Sequence, residues 1–266
     1  MNISRTILGD VSTDNDQSFN YAGANAELVF DNTLVTGVNM MHGTRMKVSV
    51  LSLKNLNDKG LSYGKFVIDL RHYQKISRSL VWANRASYGQ FFGPRAQVFR
   101  LGGMDDWLNA GYAGSRFLAN YSGVDQVFGQ EFVTNLRGFD YGARNGPRYV
   151  LFNSELRFPI VQYFARRPIY SGFFRNLQLT GFADAGTAYS GTNPFSTDNS
   201  TNTRKREYSD FFSATVINFQ NPFLVGYGAG IRSTLLGFYG KFDVAWGQEN
   251  YVTTSPHYYF TLGYDF

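Results

Sequence analysis

The last ten residues, HYYFTLGYDF, constrain the fold more than any other stretch. Tyr258, Phe260, Leu262, Tyr264 and Phe266 are all apolar or aromatic, while Tyr259, Thr261, Gly263 and Asp265 between them are small or polar. A repeat of two belongs to a β-strand with unlike faces, because successive side chains point to opposite sides of a sheet. The repeat returns upstream. Val150, Phe152, Leu156 and Phe158 alternate with Asn153, Glu155 and Arg157; Phe66, Ile68 and Leu70 oppose Asp69 and Arg71; Met46, Val48 and Val50 oppose Lys47 and Ser49. Charged residues therefore recur in mid-strand on one face only. A soluble sandwich with one wetted face shares this pattern, so alternation alone leaves two architectures open.

Composition separates them. Tyr (18) and Phe (25) are abundant and Gly reaches 28 in 266 residues, yet mean hydropathy is only −0.27. Aromatic richness without overall hydrophobicity is the balance of a transmembrane β-barrel, in which every second strand residue meets lipid. No apolar run approaches the ~18 residues of a membrane-spanning helix, so membrane residence would have to be by strands. The aromatic strand ends and Phe266 favour the barrel. The start, MNISRTILGDVSTDND, lacks a basic stretch followed by an apolar one, and the chain is expected to be the C-terminal part of a longer exported protein. Zero cysteines exclude disulfides and thiolate metal sites. The net charge of +5 is modest, and the basic run Arg204–Arg206 follows a Ser/Thr/Asn-rich segment. It reads as a solvated loop, and no nucleic-acid partner is expected.

The periodicity predicts about ten strands, near 2–9, 19–31, 43–54, 62–75, 78–91, 147–160, 177–189, 223–236, 238–248 and 257–266, in one domain spanning 1–266. Their connections fall into two sets. The segments after the first, third, fifth, seventh and ninth strands include two very long ones, 102–146 and 190–222, and would be the outer loops. The KIS turn, LLGF and segments 32–42 and 161–176 would lie at the opposite, periplasmic end, as the short turns of outer-membrane barrels do.

Loop 102–146 exceeds the ~12–15 residues of a passive connection. It is rich in Gly, Trp, Phe and Tyr, which argues against disorder. Downstream, Gly226, Gly228 and Gly230 fall at spacing two, opposite Val225, Tyr227, Ala229 and Ile231. Glycines along one face admit the close approach of another backbone, and they equally serve barrel curvature.

These blocks carry a resemblance. Leu136-Arg137-Gly138-Phe139 resembles the Val-Arg-Gly-Phe/Tyr motif of the outer-membrane assembly and secretion superfamily that includes BamA, TamA and the two-partner secretion transporters, with leucine in place of the usual valine. LGGMDDW is similar to the family's Gly-Gly entry into the same loop and NSELRFPI to the strand that follows. FADAGTAY resembles its Phe-x-Asp-x-Gly strand, GYGAGIRS its Gly-x-Gly-x-Arg strand ending at Arg232, and FTLGYDF its terminal strand. The ordered blocks span about 97–266; the insertion at 109–133 is longer than the family pattern, and the polypeptide-transport-associated domains that usually precede such barrels are absent.

The resemblance implies a 16-stranded barrel, of which these strands would be the last ten, with loop 102–146 folded into the lumen. Strand parity offers Glu155 and Asp184 as inward-facing acids for Arg137, and the resemblance implies that acidic residues on these two strands hold it; the alternative is that both acids are solvated charges pairing with whichever of Arg157 or Arg232 lies nearest. Tyr264-Asp265-Phe266 would belong to a C-terminal assembly signal. The implied function is insertion or translocation of proteins at the bacterial outer membrane, without catalysis or cofactor. Implied partners are outer-membrane lipid and lipopolysaccharide, unfolded outer-membrane or secreted clients, and accessory assembly subunits. Two alternatives stand beside it, a passive porin or receptor and an anchor for an upstream domain. His42, His72 and His257 lack ligand spacing, and Asp105 and Asp106 read as turn residues, so neither a metal site nor an acid–base pair is expected.

Overall fold

A computed structural model describes residues 20–77, 79–108, 130–196, 199, 203–209, 212–217, 220–263 and 266. The predicted strand at 2–9, most of the 109–133 insertion, Tyr264 and Asp265 lie outside them. The strands are β1 (Tyr21–Asp31), β2 (Leu34–Gly37), β3 (Met40–Asn55), β4 (Tyr63–Lys75), β5 (Val81–Phe92), β6 (Val98–Leu101), β7 (Gln130–Val133), β8 (Arg144–Gly146), β9 (Arg148–Phe158), β10 (Gln178–Tyr189), β11 (Thr203–Ser209), β12 (Phe212–Ile217), β13 (Leu224–Leu235), β14 (Phe238–Glu249), β15 (Val252–Thr253) and β16 (His257–Leu262).

The protein is all-β. An 11-stranded sheet runs β1-β3-β4-β5-β9-β10-β13-β14, with β15 and β16 on β14 and β2 on β3, and its ladders are antiparallel throughout. Among the described residues the sheet does not close, and β1 and β16 are its edges. No described helix is long and apolar enough to cross a membrane, which says nothing of strands.

Alternation sorts the two faces as the sequence predicts. On β9, Tyr149, Leu151, Asn153, Glu155 and Arg157 are buried, while Phe152 and Leu156 are exposed. On β10, Gln178, Thr180, Phe182 and Asp184 are buried and Leu179 is exposed; on β14, Tyr239, Lys241 and Asp243 are buried and Phe242 is exposed. Charged side chains are thus buried on one face, together with Tyr149, Leu151, Phe182 and Tyr239, while large apolar side chains are exposed on the other.

The inner face is covered by the 102–146 connection together with the preceding residues. Expected as one loop, it contains a three-stranded sheet in which β6 pairs parallel with β7 and antiparallel with β8. Its apolar side chains, Phe99, Leu101, Val133, Leu136 and Phe139, join Tyr149, Leu151 and Leu224 of the wall in one buried cluster. Phe99 lies 4.3 Å from Phe91 and 4.6 Å from Tyr149, centroid to centroid. This packing fixes the segment against the sheet.

Other connections also contain structure that the alternation did not reveal, among them β2 in 32–42 and β15 in QENYVTTSP. Segment 190–222 contains the β11–β12 hairpin, and 160–176 contains two single-turn helices, Ile160–Phe164 and Gly172–Arg175. The expected strand at 257–266 stops at Leu262. Gly263 takes φ +112, a conformation open to glycine, and breaks the extended run. Phe266, expected on the outer apolar face, is instead buried inside with Met40, Tyr73, Val81 and Ala83.

Candidate functional site

The centre of the inner face is a network of buried charges, built in rows across the strands. One row pairs Asn153 with Asp184 and Asp184 with Gly226, which pairs with Gly247. The next runs Glu155, Phe182, Gly228 and Ala245; a third runs Arg157, Thr180, Gly230 and Asp243. Residues on adjacent strands in one row face the same side, so Asp184, Glu155 and Asp243 all face inward.

Arg137 enters from the infolded segment, 1% exposed. Its Nε and Nη2 donate to the two oxygens of Asp184 at 2.7 and 2.8 Å, and its Nη1 donates to Glu155 Oε2 at 2.8 Å. Its backbone N–H adds a bond of 3.2 Å to Asp184. The guanidinium also stacks on Phe182, 3.5 Å from the ring centroid. A planar fork suits two carboxylates on adjacent strands as an ammonium cannot. Burial alone disfavours the cation, but Asp184 and then Glu155 outweigh it, and the Arg137 pKa is raised.

The competing partners are in the same network. Arg157 Nε donates to Glu155 Oε1 at 2.9 Å, and its remaining nitrogens donate to the carbonyls of Asn39 and Phe266 at 3.1 Å each. Arg232 Nη1 and Nη2 donate to Asp243 at 2.6 and 3.1 Å, with Nη2 3.6 Å from Glu155. Glu155 thus serves three arginines, and Asp184 serves Arg137 alone among the charged bonds described. Asn153 completes Asp184, its Nδ2 donating at 2.8 Å, and also donates to the Asn135 carbonyl.

The three glycines divide their work. A Cβ at Gly226 would overlap the Arg137 carbonyl oxygen, so Gly226 receives the infolded backbone. The space beside Gly228 is taken by the Val244 carbonyl of β14 and the Phe182 ring on which Arg137 lies, and that beside Gly230 by the Asp243 carboxylate and Arg232. Reading all three as one docking face for the loop is therefore corrected: register sets Gly228 and Gly230 next to bulky neighbours on the flanking strands. Gly138, at φ +89, backs onto Trp246 and Gly247 of β14 rather than onto Gly228. Leu136 is fully buried and Phe139 nearly so.

The alternation placed Tyr259 on the polar face of β16 but gave it no role, although it is an aromatic among small and polar residues there. Its hydroxyl accepts from the Gly138 and Phe139 N–H groups at 2.9 and 3.1 Å and donates to the Phe139 carbonyl at 2.9 Å. Thr254 Oγ1 donates to the Gly138 carbonyl at 3.2 Å. Asp243 was also missed, though Lys241 and Asp243 alternate with Phe242 and Val244.

The entry to the infolded segment reaches β16 as well. Trp107 forms an antiparallel bridge with Thr261, Leu108 N–H donates to the Phe260 carbonyl at 2.9 Å, and the Trp107 ring lies 4.6 Å from that of Tyr259, centroid to centroid, at a tilt of 50°. Asp105 accepts from Thr134, a bond within the neck of the loop. Among the described residues no three His, Asp or Glu side chains converge as a metal site would require.

Fold and site define an antiparallel all-β protein whose inner face holds a loop through a buried Arg–carboxylate network. No family model matches the chain, and no curated protein matches it.

Proposed function

We propose that the chain forms part of the wall of an outer-membrane β-barrel related to the BamA, TamA and two-partner secretion superfamily, acting in protein insertion or translocation. The observation that carries this reading is Arg137, lodged between Glu155 and Asp184 beneath an infolded segment. A buried cation of this kind contributes little net stability compared with an apolar core, so the network serves to fix the position of the loop. The exposed aromatic outer face and charged inner face support placement in lipid. The edges at β1 and β16 are where further strands would complete a barrel, and where an incoming client strand would find unpaired backbone. The client would cross or fold by strand pairing, with no nucleotide or cofactor.

A polar cavity of ≈ 440 Å³ on the inner face, lined by Glu27, Lys47, Lys65, Asp69 and Arg85 among others, favours the second reading, a passive pore. Reconstitution of the full-length protein into phospholipid vesicles separates the two. Faster folding of an unfolded outer-membrane client than in empty vesicles supports the assembly reading. Steady ion conductance with no effect on client folding rejects it in favour of the pore.

A further inference from the structure

The two ends of the sheet differ in charge. At one end lie the connections 32–39, 76–80, 160–177 and 236–237, and none of them contains Asp or Glu. The connections at the other end contain Asp58, Asp105, Asp106, Glu131 and Asp140, among others.

The first of these ends also exposes large apolar side chains. In 160–176, Tyr163, Phe164 and Phe174 are more than half exposed and Tyr170 is 93% exposed. At the same end, Val35 of β2, Ile76 and Leu236 are also exposed. Arg166, Arg167 and Arg175 of the same segment are exposed.

The backbone that presents these groups is held firmly. Ser233 Oγ donates to the Phe173 carbonyl at 2.7 Å, Asn176 Nδ2 to Thr234 Oγ1 at 2.9 Å, and Gln162 Nε2 to the Arg175 carbonyl at 2.7 Å. The two helices are thus tied to each other and to β13, with their aromatic side chains turned outward. Water is a poor solvent for this surface, whereas a lipid headgroup layer takes aromatic rings at the level of the carbonyls and arginines at the level of the phosphates.

We propose that this end is a docking surface for an anionic phospholipid leaflet, with the 160–176 segment and its flanking turns lying in the headgroup layer and Arg166, Arg167 and Arg175 binding lipid phosphate. Charge decides the occupant: within 160–176 three arginines and no acid complement an anionic membrane, and the aromatic residues are of the kind that lie at its interface. The inference rests on the barrel reading above and adds a lipid preference to it.

These 266 residues contain no cysteine, so Tyr170→Cys, with any cysteine elsewhere in the full-length protein replaced by serine, gives a single fluorophore. The full-length protein is folded into phosphatidylcholine vesicles with increasing headgroup-brominated phosphatidylglycerol, or brominated phosphatidylcholine as control. Heat-dependent electrophoretic mobility reports the folded barrel independently of lipid preference. The expected result is stronger quenching by phosphatidylglycerol, with the preference falling about fivefold for each of Arg166→Gln, Arg167→Gln and Arg175→Gln, equivalent to ~1 kcal/mol per arginine. A folded barrel quenched equally by both lipids, or by neither, overturns the proposal while leaving the barrel reading intact. Shielding of the label only when a protein partner is added overturns it in favour of that partner. A chain that shows no heat-modifiable form in either lipid removes the barrel reading and the docking surface with it.

Discussion

Replacing Arg137 with alanine is expected to cost about 3–5 kcal/mol, the scale for removing one partner from a buried ion pair. The structure shows where that cost falls. Glu155 would keep Arg157 at 2.9 Å and Arg232 at 3.6 Å. Asp184 would keep only the Asn153 amide at 2.8 Å and the backbone N–H of residue 137 at 3.2 Å, leaving its charge without a described cation. Adding Asp184→Asn to Arg137→Ala should therefore recover about 1–3 kcal/mol, because a neutral amide needs no counter-charge. Adding Glu155→Gln instead should recover less, since it deprives Arg157 and Arg232 of their shared acceptor. Arg137→Lys should fall between wild type and alanine, because a point charge cannot bridge both acids. Urea unfolding of the full-length protein in vesicles, followed by electrophoretic mobility, measures the stability; limited proteolysis of 102–146 reports whether the loop has left. An Arg137→Ala protein within about 0.5 kcal/mol of wild type, or equal rescue by the two second-site changes, would refute the argument.

Gly226→Ala should release the loop to protease, because the new methyl group occupies the place of the Arg137 carbonyl; overpacking of this kind costs about 1–3 kcal/mol. Tyr259→Phe removes three bonds to residues 138 and 139 and should cost about 1–3 kcal/mol, with far-ultraviolet circular dichroism unchanged. Phe266→Ala should lower the unfolding midpoint by opening a cavity beside Tyr73 and Val81, about 3 kcal/mol on the scale of buried phenylalanine truncations. Glu131→Gln breaks a 2.6 Å pair with Lys65 whose side chains are 39% and 23% exposed. Solvent screening should hold that loss below about 1 kcal/mol, a control for the Arg137 series in the same denaturation assay.

The outline of the sheet was legible because alternation acts locally. Glu155 and Arg157 among Phe152, Leu156 and Phe158 can satisfy only one pairing register, and β9 lies where that pattern places it. The inward placement of Arg137 with Glu155 and Asp184 was reachable only through a motif resemblance, since nothing local links residues 47 apart. What each inward residue meets was not legible. Gly226, Gly228 and Gly230 are identical in sequence, and only register with Gly247, Phe182 and Asp243 assigns them different neighbours. The end of β16 was misread because Gly263 preserves a two-residue alternation that its positive φ interrupts. The short strands β6, β7 and β8 escaped notice because their side chains serve a small sheet and the wall cluster together, which leaves no simple periodicity.

The charge network has a consequence for the order in which the chain assembles. Arg137 lies 18 residues before Glu155 and 47 before Asp184, so it cannot be seated until β9 and β10 have paired. Their pairing in turn brings two carboxylates together that only Arg137 bridges. The paired wall without the seated arginine leaves Asp184 uncompensated, and closure of loops this long is slow compared with local strand contact. Refolding should accordingly show strand formation and loop capture in a single kinetic phase, so that the arginine acts as a checkpoint on whether the surrounding sheet has been built in register.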